Sequence, residues 1–172
     1  MTRSTDNSGE YPDRILPMAV LGLAAWHALP TLIEAWGSDL YSAGAPLAFG
    51  LWLASQGWLY FKQRQLAGPP CMVLLVLSLL LCAAGSMCGL RVLHHLALAT
   101  AVSALPGWKL GACITTSAAM AWLPATGWFL SHWKSGGLAG WERPAFAGLM
   151  ALLLVGLSRI SGPPSHTPPP AT

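Results

Sequence analysis

Charge is what this sequence has least of. Six acidic and nine basic side chains among 172 residues make 9% charged, against about 25% in an ordinary soluble domain. So few ionic groups cannot cover a globular surface, which argues against a water-soluble domain. The basic residues are also scattered singly. The formal net charge of +3 therefore makes no patch of the kind a nucleic acid needs, and no nucleic-acid partner is expected. A basic leader is missing too: the start, MTRSTDNSGEYPDR, is polar and acidic-leaning and lacks the n-region of a cleavable signal peptide. The first apolar run is therefore expected to be a retained helix. Cysteine is sparse, at positions 71, 82, 88 and 113, and no pair has C-x-x-C spacing. Three of the four lie in apolar runs and read as small buried hydrophobes, with Cys88 the exception.

What is present is apolar. Hydrophobic residues make up 54% of the chain, with nine Trp and eighteen Gly, and both types are enriched in membrane helices and at their interfaces. The mean hydropathy is +0.53. These features predict an all-α fold, a polytopic transmembrane helical bundle of about six membrane-spanning helices, with the lipid bilayer as its principal partner. A hydrocarbon core of about 30 Å takes about 20 residues per helix. Apolar runs of that order lie near 15–33, 43–61, 71–90, 92–108, 110–132 and 144–161. The fourth is the weakest, being short and carrying two His, and a re-entrant course is open for it. Residues 1–14 read as a polar N-terminus on the cytoplasmic side, and the Pro-rich tail at 162–172 as disordered.

Loop charge predicts orientation. With the amino end inside, the inner side holds Arg3, Arg14, Lys62, Arg64, Lys109 and Arg159, and the outer side holds Arg91, Lys134 and Arg143. Both termini are thus expected in the cytoplasm, in a multi-pass protein of the bacterial cytoplasmic (inner) membrane. One motif competes with this reading, the pentapeptide LPATG at Leu123–Gly127, which matches the signal cut by Gram-positive sortases. Such a signal needs an exposed position before a single final anchor. Here it lies inside an apolar run with four other spans ahead of it, so Pro124 and Gly127 are expected to kink or end the fifth helix instead.

The remaining polar residues gather at the outer ends. His27, Glu34, Asp39, Cys88, Arg91, His94, His95 and His132 all fall there, and ionisable groups within membrane spans are expensive enough to suggest function. Three readings stay open. In one they are interface residues beside an aromatic belt of Trp36, Trp128, Trp133 and Trp141. In another, His27, His94 and His132, at similar depth, belong to a haem or metal site; the sequence lacks a paired-His spacing typical of haem proteins, and no cofactor is expected. Adjacent His94 and His95 point about 100° apart on a helix and cannot both face one ligand. In the third, Cys88 is a nucleophile, Arg91 a charge stabiliser and His132 a base.

The stretch from Trp26 to Pro70 resembles the amino-terminal region of exosortases and archaeosortases. The residues that carry the resemblance are Pro30, Thr31 and Leu32, then Trp36, Asp39, Tyr41, Ser42 and Gly44, then Trp52, Lys62, Arg64, Pro69 and Pro70. Taken with the helix pair that follows, it covers about residues 20–133. The family comprises multispanning membrane proteins related to transpeptidases that process carboxy-terminal sorting signals such as PEP-CTERM. In this register the chain stops before the family's catalytic Cys, Arg and His. The resemblance then implies a non-catalytic half, with other membrane proteins or a C-terminal sorting-signal substrate as partners. A shifted register would set Cys88, Gly89, Leu90 and Arg91 on the family's Cys-Ser-Gly-like motif and His132 on its later His. It lacks the Ser after the Cys and has only Lys109 where the intervening Arg should be.

Overall fold

A computed structural model describes residues 12–38, 44–63, 70–105, 109–126 and 141–160. The described chain is helical, with no strand. Six helices follow in order: α1 (Pro12–Ser38), α2 (Ala45–Gln63), α3 (Met72–Cys88), α4 (Arg91–Ala104), α5 (Lys109–Ala119) and α6 (Glu142–Ile160).

The helices bury stripes at helical spacing, and α1, α2, α3 and α6 leave large apolar side chains exposed on their other faces. Along α1 the stripe is Val20, Ala24, Ala28 and Leu32, spaced by four; three-and-four spacing puts such residues on one side of a helix. On α2 it runs Ala45, Ala48, Trp52, Gln56 and Leu59, and on α3 Leu75, Ser78, Cys82 and Gly85. Much of each stripe is small, so neighbouring backbones can approach closely, a packing mode favoured between helices in lipid.

Helix α1 has 27 residues and tolerates Pro17 and Pro30 in its interior. Its segment Ile15–Gly37 is the one helix among the described residues that is long and apolar enough to cross a bilayer; Met72–Cys88 is apolar but shorter. Helix α4, with 14 residues, is the most enclosed: ten of them, His94, His95 and Ala97 to Ala104, are buried.

Helices α3 and α4 form a tight hairpin. Gly89 ends α3 with φ 66, a left-handed conformation that costs glycine little, and the Leu90 N–H donates to the Gly85 carbonyl at 3.1 Å. At the far end the Cys71 N–H donates to the Ala104 carbonyl at 3.0 Å. Midway, Ser78 Oγ donates to the Ala97 carbonyl at 2.8 Å. These three ties fix an antiparallel pair in register along its whole length. Helix α1 runs antiparallel to α4, His27 meeting His94 while Glu34 meets Arg91, and α5 also packs on α4. Helix α6 packs on α2 and α5. The chain thus makes two trios, α1–α3–α4 and α2–α5–α6, joined through α4 against α5.

Two expectations differ from what is observed. The fifth helix, expected over 110–132, ends at Ala119. Three successive i→i−3 bonds then tighten the chain, from Met120, Ala121 and Trp122 N–H to the carbonyls of Ser117, Ala118 and Ala119. The cause is Pro124, which has no N–H to continue the ladder and pushes Leu123 out of helical conformation. Helical geometry resumes for one turn at 124–126, and Gly127 lies outside the described residues. Arg143, expected as an outer-loop cation, is instead buried in the first turn of α6 at 3% exposure.

Candidate functional site

The histidines of the α1–α3–α4 trio, with Thr31, Glu34 and Arg91, converge near the turn of the hairpin. From α1, the His27 ring lies against the His94 ring of α4, centroids 5.0 Å apart and planes inclined by 16°. One helical turn along α1 from His27, Thr31 Oγ1 is 3.0 Å from His95 Nε2. The Thr31 hydroxyl also lies 3.0 Å from the Ala28 carbonyl. With its single proton on Ala28, the hydroxyl oxygen accepts from His95 Nε2–H; with the proton on His95, the roles reverse. His94 and His95 diverge around α4, as adjacency dictates, yet both meet α1: His94 through a ring face and His95 through a nitrogen.

Glycine shapes the third wall. Gly85 of α3 sits so close to His94 that a Cβ added there would be 3.0 Å from both Cε1 and Nε2 of the ring. His94 is therefore wedged between a glycine backbone and His27. Its Nδ1 is buried without a hydrogen-bond partner among the described residues, whereas buried polar atoms are almost always paired. Above the cluster, Arg91 Nη1 donates to Glu34 Oε2 at 2.9 Å, with both side chains more than 60% exposed. This ion pair links the first residue of α4 to the last turns of α1.

The second trio is held by different groups. Phe49 and Trp52 of α2 meet Trp122, which follows α5; Phe49–Trp122 is edge-on at 5.0 Å and Trp52–Trp122 tilted at 5.2 Å. Trp52 Nε1 donates to the Thr115 carbonyl at 2.8 Å. Trp36 of α1 reaches this cluster through Phe49 at 5.2 Å.

The residues singled out from sequence are distributed as follows. Cys88 is a free, exposed thiol at the last position of α3, and Arg91 opens α4 three residues later, held by Glu34. His132, Asp39, Trp128, Trp133 and Lys134 lie outside the described residues, so the geometry of Cys88, Arg91 and His132 as a set lies outside them as well. His27 and His94, which depth alone put at the same level, are in contact. Their rings meet face to face, and that arrangement leaves no gap between them for a haem. Among the described residues no group of three or more His, Cys, Asp or Glu converges as a metal ion would require. In LPATG, Leu123 is buried, and Thr126 Oγ1 lies 3.9 Å from Met120 Sδ. The sequence reading missed Gly85 and the contact role of Thr31. The signal available was the small-residue spacing of α3 opposite the two His, but spacing alone does not say which helices adjoin.

No family model matches the chain, and neither do any curated protein or any solved structure.

Proposed function

We propose that the chain is a six-span helical protein of the bacterial cytoplasmic membrane, both ends on the inner side, serving as a non-catalytic accessory or structural component linked to protein sorting at the outer face. One observation carries the membrane part. Large apolar side chains stand exposed on four of the six helices while small and polar ones are enclosed. Trp26, Val73, Phe61 and Leu152 are 79%, 76%, 74% and 71% exposed, and unpartnered apolar surface on this scale calls for lipid or protein to cover it. The antiparallel pairing of α1 with α4, and of α3 with α4, is what alternating crossings demand. Helix α4, too short at about 21 Å to span hydrocarbon by itself, is shielded by α1, α3 and α5, so its polar residues need not face lipid.

The link to sorting rests on the exosortase-like pattern from Pro30 to Pro70. The non-catalytic assignment rests on the register of that pattern and on Arg91. With Glu34 2.9 Å away, the guanidinium already has a counter-charge, which leaves less of it to favour a thiolate at Cys88.

Fractionation tests the first part: the chain should stay with membranes through an alkaline carbonate wash and leave them only in detergent. Recovery in a detergent-free soluble extract overturns it. For the second part, Cys88→Ala and His132→Ala should each leave processing of a co-expressed sorting substrate unchanged, while deleting the whole chain should lower it. Loss of processing in either point variant would instead make Cys88 a nucleophile and His132 its base.

A further inference from the structure

The imidazole cluster between α1 and the α3–α4 hairpin plays no part in the accessory reading. We propose that His27 and His94 form a proton-operated latch: their neutral rings hold α1 on α4, and protonation of the stacked pair drives the two helices apart.

The geometry explains why the response would be a movement. Neutral imidazoles stack face to face at 5.0 Å without penalty, whereas two imidazolium rings at that distance repel. Water cannot screen them well, because His94 is buried. Nor can His94 retreat, since Gly85 already stands against the other side of its ring. Relief therefore has to come from α1. The buried Nδ1 of His94 has no acceptor among the described residues to receive an added proton. His94 also lies in the first turn of α4, where the helix dipole disfavours further positive charge.

The surrounding groups do not cancel that charge. Helix α1 brings Glu34, but Arg91 engages it. Helix α4 adds Arg91 and His95, one a fixed cation and the other titratable. From α3 come only thiols, Cys82 in the core and Cys88 at the end, and from α5 the exposed Cys113. His95 forms a second clasp one turn away through Thr31. Because that contact survives with His95 as donor, the stacked pair is the element that fails on acidification. Burial and the lack of an acceptor among the described residues make the second proton costly to add, so the latch holds near neutrality and opens only in acid.

Spin labels can read the movement in the full chain held in lipid nanodiscs. Ile33→Cys on α1 and Met87→Cys on α3 are exposed positions at the latch end, placed in a background with Cys71, Cys82, Cys88 and Cys113 changed to Ala. The label-to-label distance should lengthen by about 2 Å or more between about pH 7.5 and about pH 4. His27→Phe keeps a ring against His94 but cannot take a proton, and there the distance should hold. An unchanged distance in the parent, or equal lengthening in His27→Phe, overturns the latch. The unlabelled chain gives an independent reading. Its Tm should drop on acidification, with His27→Phe losing most of that drop; equal drops would also overturn the latch.

Discussion

Where α1, α3 and α4 meet, imidazoles and a hydroxyl lie against a bare glycine backbone; where α2, α5 and Trp122 meet, the closest side chains are indoles and a phenyl ring. The two trios solve one problem, bringing helices together, with different chemistry. Indoles and phenyl rings fill volume and hold one arrangement at any ordinary pH, and the Trp52–Thr115 hydrogen bond adds direction. Imidazoles fill less volume and can take up a proton. One half of the molecule is thus built for constancy, and the other carries groups whose state depends on conditions.

The comparison can be pressed hardest in the aromatic trio. Trp52→Ala removes one of the largest fully buried side chains, 1% exposed, and its bond to Thr115. The expected loss is about 3–5 kcal/mol, read from unfolding in mixed micelles, with no dependence on pH between 5 and 7.5. A pH-dependent loss would erase the distinction between the trios. Next in size is Gly85→Ala. The new methyl would meet the His94 ring at 3.0 Å, and overpacking of this kind costs about 1–3 kcal/mol. Adding His94→Ala should recover much of that cost, since it removes the atoms that collide; failure to recover it would mean that Gly85 matters for some reason other than His94. Smallest is Glu34→Gln. Both partners of its ion pair are well exposed, so the change in stability should stay below about 1 kcal/mol and shrink further in high salt.

Much of the class was legible in the sequence and much of the arrangement was not. Scarce charge and long apolar runs indicate helices, and the described residues are helical without a strand. Depth was legible too: counting residues put His27 and His94 at one level, and Glu34 and Arg91 at one end. Azimuth was not. Whether two rings at equal depth touch depends on which helices adjoin and how each is rotated, and apolar periodicity is weak where every face of a helix is apolar, as in α3. The standing of α4 was hidden for the same reason. Two His and a short length made it the least convincing helix, yet the small residues from Ala97 to Ala104 let three neighbours close around it. The early end of α5 came from Pro124, whose effect the sequence signalled but placed several residues too late.

The bond from Cys71 N–H to the Ala104 carbonyl turns the α3–α4 hairpin into a closed loop of chain. A bare amide at the start of one helix satisfies a bare carbonyl at the end of the next. Both partners are supplied by one contiguous stretch, so the ribosome needs to deliver only Cys71 to Ala104 before that stretch can complete itself. Such a unit pays little entropy for closure and waits for no later segment. The closing bond itself thus depends on no residue of α5 or α6.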